Sequence, residues 1–182
     1  MSLSDRGQNM AEFLAFFAAG AYHPAMNATA HILRYREQDC PLTLAEGLAE
    51  YYAANANKIA RPADLPPESA ALFRNHDMCH VIFGLDTSFV DEAMADTRTM
   101  LSCDVGAAQY ALYLGADPQA QKILKEVGVL AFVTGTLQAV PRICRAVVEA
   151  FRMKKKWPWE PPESFQARAI GELRAEFGIR VI

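Results

Sequence analysis

Apolar residues recur at helical spacing along almost the whole chain, whereas alternating or β-branched runs bounded by turns are scarce. This pattern predicts an all-α fold. Helical periodicity marks residues 11–22, 25–38, 43–59, 68–83, a helix from position 87 or 88 onward, 105–114, 118–134, 137–156 and 163–177. At 182 residues the chain is long enough to bury a substantial core, and we expect one compact multi-helix domain over residues 1–182.

Several helix ends carry specific signals. Thr43 and Glu46 have the spacing of a capping box, which predicts a helix start at this point. Gly84 is expected to end the helix that runs through His80. Pro141 is expected either to kink the long apolar region or to lie in the first turn of its last helix.

Composition and charge narrow the possible partners. Hydrophobic residues make up 52% of the chain and charged residues 21%, so the excess apolar surface could fill a core, cover a homodimer interface or line a lipid pocket. The net charge is −3, and no basic stripe interleaved with aromatics is present, which argues against nucleic acid. The four cysteines lack C-x-x-C spacing and are interpreted as reduced, mostly core thiols.

The apolar segments also bear on location. The first nine residues are polar and lack a signal-peptide pattern. The most hydrophobic stretch, residues 127–140, is too short and too broken to span a bilayer. We therefore expect a cytoplasmic protein, and peripheral contact with the inner face of the cytoplasmic membrane stays open.

A run of three lysines, Lys154 to Lys156, precedes Trp157 and Trp159. This combination suits a membrane interface, but we prefer the interpretation that the lysines are favourable basic charges at the end of a helix.

Three residues with metal-binding chemistry lie within five positions of one predicted helix: His76, Asp77 and His80. Residues four apart share a helix face, so both imidazoles can point at one atom. Asp77 is rotated by about 100° and can reach that atom from the flank.

Glu92 follows His80 by twelve residues. In one unbroken helix it would lie about 18 Å further along the axis, whereas metal–ligand bonds are about 2 Å long. The intervening segment 84–88 holds a glycine followed by residues that can act as N-caps. The chain is therefore predicted to turn and to return Glu92, on the first turns of the next helix, to the same ion.

Two imidazoles and two carboxylates suit zinc, iron, manganese or magnesium, so the residues alone do not select the ion. An H-x-x-x-H pair on a helix is more often two unrelated histidines.

Another interpretation is a metal-dependent phosphohydrolase built on the His76-Asp77 pair. That class needs a further histidine and aspartate, and His31 and Asp104 are available without a recognisable companion motif.

The run from His76 to Glu92 reads H-D-x-x-H-x(11)-E and resembles the metal motif of the COQ-four family of ubiquinone (coenzyme Q) biosynthesis. The continuation from His80 to Thr87 resembles the family's H-V-x-x-G-x-x-T. Trp159-Glu160 and the segment 172–179 resemble its closing W-E and E-L-R-x-x-x-G-I. The resemblance covers about residues 73–179, and the first 70 residues match weakly.

This resemblance implies a bacterial-type, all-helical member whose ion, with zinc favoured, is held by His76, Asp77, His80 and Glu92. It also implies a pocket for a prenylated aromatic or other long-chain lipid. The implied activity is metal-dependent decarboxylation and hydroxylation at ring carbon one of a prenylated hydroxybenzoate, a lyase or oxidoreductase reaction in which the four residues are catalytic. The alternative is a non-catalytic lipid-binding scaffold that organises other quinone-biosynthesis enzymes, so enzyme status stays open.

Overall fold

Helices account for most of the described chain. A computed structural model describes residues 33–59, 63, 65–106, 110 and 128–182, and this part contains no strand, only isolated bridges. The five α-helices are α1 (Leu44–Ala54), α2 (Pro67–Phe83), α3 (Phe89–Ser102), α4 (Gly128–Arg152) and α5 (Ile170–Phe177). The all-α prediction is confirmed.

The helix ends that position the later site follow the expected signals. Thr43 accepts a hydrogen bond from the backbone of Glu46, whose side chain accepts in return, so a capping box begins α1. Gly84 ends α2 in the left-handed conformation, with φ of 73°. Ser88 then caps α3 by accepting from the backbone of Asp91. The chain therefore turns sharply between α2 and α3.

Two predicted helices differ from the structure within the described residues. In the described part of 25–38 only a 3₁₀ turn, Arg34–Arg36, is present, because the backbone N–H of Tyr35 donates to the Glu50 carboxylate instead of to a preceding carbonyl. α1 ends at Ala54 and not near position 59. Asn55 ends it by donating from its side chain to the carbonyl of Tyr51.

In the carboxyl-terminal half, the observed helices differ more from the predicted ones. α4 runs unbroken through Pro141 and joins two predicted helices. It ends at Arg152 because Lys154 donates its backbone N–H to Phe177 and the following chain pairs with Ser102. The predicted helix 163–177 divides into a 3₁₀ turn, Glu163–Ala167, and α5. The predicted helix 11–22 and most of the predicted helix 105–114 lie outside the described residues. The same is true of residues 118–127 of the predicted helix 118–134.

The helix α2 lies at the centre of the core and packs against α1, α3 and α5. Trp157 and Trp159 are buried, and Trp157 contacts the rings of Phe165 and Phe177. These indoles are core residues, which favours the helix-end interpretation of the basic run before them.

The cysteines agree in part with the expectation of mostly buried, reduced thiols. Cys40, Cys79 and Cys103 are buried free thiols, whereas Cys144 is exposed. Among the described residues, none of the helices combines the length and the apolar character that crossing a bilayer requires.

Candidate metal centre

His76 and His80 lie one turn apart on α2, and the helix places their rings in contact. The ring centroids are 4.7 Å apart at an interplanar angle of 77°. His80 is completely buried and His76 nearly so. The predicted shared face of the two imidazoles is therefore present.

The turn after Gly84 brings Glu92 back to this face. His80 Nε2 lies 3.3 Å from Glu92 Oε2. One ligand atom from each of His76, His80 and Glu92 lies within 4.8 Å of the other two. The Glu92 side chain is 28% exposed, so the group is buried on the histidine side and reachable from solvent on the carboxylate side.

The His80 ring indicates that these residues fit a cation. Both of its nitrogens are buried, and neither makes a hydrogen bond besides the ion pair of Nε2 with Glu92. Buried polar atoms without hydrogen bonds are rare and costly in folded proteins. Its ring is held by stacking on Tyr51, at 5.3 Å between centroids. Imidazole nitrogens beside a carboxylate are ligands that divalent ions prefer.

The charges of this pair are strongly coupled. Burial lowers the pKa of His80, but the Glu92 carboxylate outweighs it and raises that pKa to about 9. Burial raises the pKa of Glu92, and His80 reverses this and holds it below its usual range. Without an ion, the pair therefore holds a proton, which a bound cation would displace.

Asp77 points to a different partner. Its Oδ2 accepts a hydrogen bond of 2.9 Å from the hydroxyl of Tyr52. Burial raises its pKa to about 6, although His76 and His80 oppose this. Three of the four predicted ligands thus converge, and Asp77 lies outside that group. Its predicted role as a ligand stays a prediction.

Asp96 is the residue that the sequence reasoning missed. Its Oδ1 lies 3.5 Å from His76 Nε2, and the hydroxyl of Tyr110 donates to the same oxygen. Burial raises the pKa of Asp96, but the hydrogen bonds from His76 and Tyr110 hold it below its usual range. Asp96 follows Glu92 by four residues, and this helical spacing was a signal available in the sequence.

Of the two residues considered for a phosphohydrolase, Asp104 does not join the group. Asp104 Oδ1 accepts the backbone N–H of Trp159 at 2.7 Å, which gives it a structural role at the end of α3. His31 lies outside the described residues.

Comparisons of the chain with protein-family models, with curated proteins and with solved structures gave no match.

Proposed function

We propose that this chain is a metal-binding protein of ubiquinone or related prenyl-lipid biosynthesis, with His76, His80 and Glu92 as ligands of one divalent ion. The observation that carries the proposal is the convergence of these three side chains across the turn between α2 and α3. The H-D-x-x-H-x(11)-E motif, similar to that of the COQ-four family, supports the pathway. Zinc is the favoured ion, and iron, manganese and magnesium suit the same ligands.

The proposed substrate is a prenylated hydroxybenzoate. When bound, the ion would supply Lewis acidity toward the ring carboxylate or phenolate. Stacking on Tyr51 fixes the His80 ring, and the hydrogen bond from Tyr52 fixes the neighbouring Asp77. The partial exposure of Glu92 leaves an approach for the substrate ring.

Turnover and metal content in one preparation test this proposal. Replacing the ring carboxyl by a hydroxyl is a net oxidation, so the assay supplies dioxygen and follows loss of a prenylated 4-hydroxybenzoate by mass spectrometry. His80→Ala should lose both the ion and turnover, whereas the matched histidine variant His31→Ala should keep both. Full turnover in His80→Ala would exclude the catalytic role, and loss of metal in His31→Ala would favour the phosphohydrolase.

A second candidate is a lipid-binding scaffold at the inner face of the cytoplasmic membrane. The observation that favours it is an exposed apolar stripe on α4, formed by Val140, Val148 and Phe151. These positions lie on one helix face, which suits contact with lipid, a partner enzyme or a second copy. Solvent extraction and mass spectrometry separate the candidates, because a scaffold retains prenyl lipid unchanged and Glu92→Gln should weaken that retention without loss of any turnover.

A further inference from the structure

Two pairs of side chains face each other across the antiparallel helices α2 and α3. Each pair is spaced by four residues, His76 with His80 and Glu92 with Asp96, so each pair shares a helix face. His80 lies opposite Glu92, and His76 lies opposite Asp96. The structure therefore presents two imidazoles to two carboxylates, but the second carboxylate is not the one in the H-D-x-x-H motif.

We infer that Asp96 is the fourth protein ligand of this ion, and that the Tyr110 hydroxyl is the positioning group for its carboxylate. The inference deepens the proposed function and rests on it. It assigns Asp77 to the surroundings of the ion and not to its ligands.

The spacing of the donor atoms supports this assignment. Ligand bonds of about 2.1 Å in tetrahedral geometry place neighbouring donor atoms about 3.4 Å apart. The two facing pairs are separated by 3.3 Å, between His80 Nε2 and Glu92 Oε2, and by 3.5 Å, between His76 Nε2 and Asp96 Oδ1. Asp96 lies outside the tight group of three, and its partly exposed side chain can move toward it.

The competing carboxylate, Asp77, is held deeper in the core than Asp96. Asp77 is buried and accepts the hydroxyl of Tyr52 at 2.9 Å. Moving it to the ion would break that bond and shift a side chain packed inside the core. Asp96 already lies 3.5 Å from His76 Nε2, and its side chain is partly exposed, so a shift toward the ion disturbs the core less.

Tyr110 gives Asp96 the support that metal ligands commonly receive. Carboxylate ligands are usually oriented by an outer hydrogen-bond donor, and the Tyr110 hydroxyl donates to Asp96 Oδ1. The Tyr110 ring packs edge-on against Trp159 at 6.1 Å. Trp159 is held in turn by Asp104.

An independent observation shows that a ligand is expected here. His80 is fully buried, its Nδ1 has no hydrogen-bond partner, and its Nε2 makes no hydrogen bond besides the ion pair with Glu92. That Nε2 faces the Glu92 carboxylate at 3.3 Å. A cation between the four side chains would supply the missing partner.

Cobalt binding to the full chain tests the inference. Co²⁺ is a spectroscopic substitute for zinc, and its ligand-field absorption reports the number and type of ligands. Titrations yield the dissociation constant and the spectrum for the wild type, Asp96→Asn, Tyr110→Phe and the matched carboxylate control Asp77→Asn. Circular dichroism of each variant checks that it folds.

We expect one Co²⁺ per wild-type chain. Asp96→Asn should weaken binding by about 100-fold or more and alter the absorption bands, Tyr110→Phe should weaken it about 10-fold, and Asp77→Asn should change it less than 10-fold. Wild-type affinity and spectrum in Asp96→Asn would overturn the inference while leaving the metal site intact. If Asp96→Asn fails to fold, unchanged binding in Tyr110→Phe overturns it instead. No binding to the wild type would overturn the proposed function itself.

Discussion

Two buried polar clusters lie along α2, and they differ in how completely their hydrogen bonds are satisfied. At the carboxyl end of the helix, Arg174 reaches in from α5 and is fully buried. It donates to the backbone carbonyls of Tyr35, Glu37, Gln38, Val81 and Ile82. On the face of the same helix that turns toward α3, His80 is equally buried, but its Nδ1 has no hydrogen-bond partner and its Nε2 has only the ion pair with Glu92.

This difference separates a structural group from a functional one. Burial lowers the pKa of Arg174 to about 10, and the guanidinium remains charged and satisfied at neutral pH. It joins the end of α2 to the chain around Tyr35 without any ligand. The ring nitrogens of His80 gain a full set of partners only if a ligand binds. A buried polar group left in this state usually marks a functional site. The four predictions below test this contrast in order of decreasing effect on the melting temperature, Tm.

Arg174→Met should have the largest effect. It removes the guanidinium from five carbonyls, of which only those of Glu37 and Val81 keep a backbone N–H donor among the described turns, so we expect a loss of about 4 kcal/mol and a fall in Tm of about 10 °C. Thermal unfolding followed by circular dichroism measures this. Arg168→Met is the matched control, because Arg168 is partly exposed and its guanidinium contacts Glu176 and the face of the Phe165 ring rather than buried carbonyls. Equal losses in the two variants would contradict the structural role of Arg174.

Metal addition should have the next largest effect. An ion that binds only the folded chain, at 100 times its dissociation constant, adds about 2.7 kcal/mol and raises Tm by about 5–10 °C. Differential scanning fluorimetry with Zn²⁺, followed by excess chelator, should show a rise and its reversal. The same rise in His80→Ala would place the bound zinc elsewhere.

Removal of the candidate site should have little effect on the metal-free protein. The double variant His80→Leu, Glu92→Met replaces both partners of an ion pair by apolar groups, which is often neutral or stabilising. We expect metal-free stability from unchanged to about 2 kcal/mol higher, measured by chemical unfolding with chelator present. A loss as large as that of Arg174→Met would make the pair structural. Backbone carbonyls cannot be removed in this way, so the Arg174 cluster permits no such neutral replacement.

The smallest effect should come from an exposed ion pair on α5. Lys155 and Arg168 hold the pKa of Glu176 below its usual range. A lowered pKa means that the stabilisation is complete above the unfolded value, about 4.3, and is lost as pH falls through the folded one. Glu176→Gln should therefore lower Tm by about 2 °C or less at pH 7, and by less still at pH 3. A difference that grows toward pH 3 would contradict this sign.

Part of the candidate site could be predicted from the sequence because it depends on local geometry. The shared face of His76 and His80 follows from helical spacing, and Gly84 and Ser88 show where the chain turns to return Glu92. Asp96 could have been found from its spacing to Glu92. Its opposition to His76 depends on how α3 packs on α2, which no local pattern reports.

Other features were decided by long-range contacts. Asp77 and Asp96 are both acidic residues in or near the motif, and each accepts a hydrogen bond from a tyrosine hydroxyl. Only the packing of α3 on α2 shows that Asp96 faces the His76 ring while Asp77 is buried beside Tyr52. Trp157 and Trp159 follow three lysines and suit an interface by composition, but packing against Phe165, Phe177 and Tyr110 places them in the core.

The sequence by itself determined the helical class, the capping box of α1, the end of α2 at Gly84 and the alignment of the two histidines. These features depend on residues within about one helical turn, whose geometry is nearly independent of the rest of the chain. Only the tertiary structure decided that Arg174 satisfies distant carbonyls while His80 remains unsatisfied. Both are buried polar groups, and their partners lie on elements that meet only when the chain has folded.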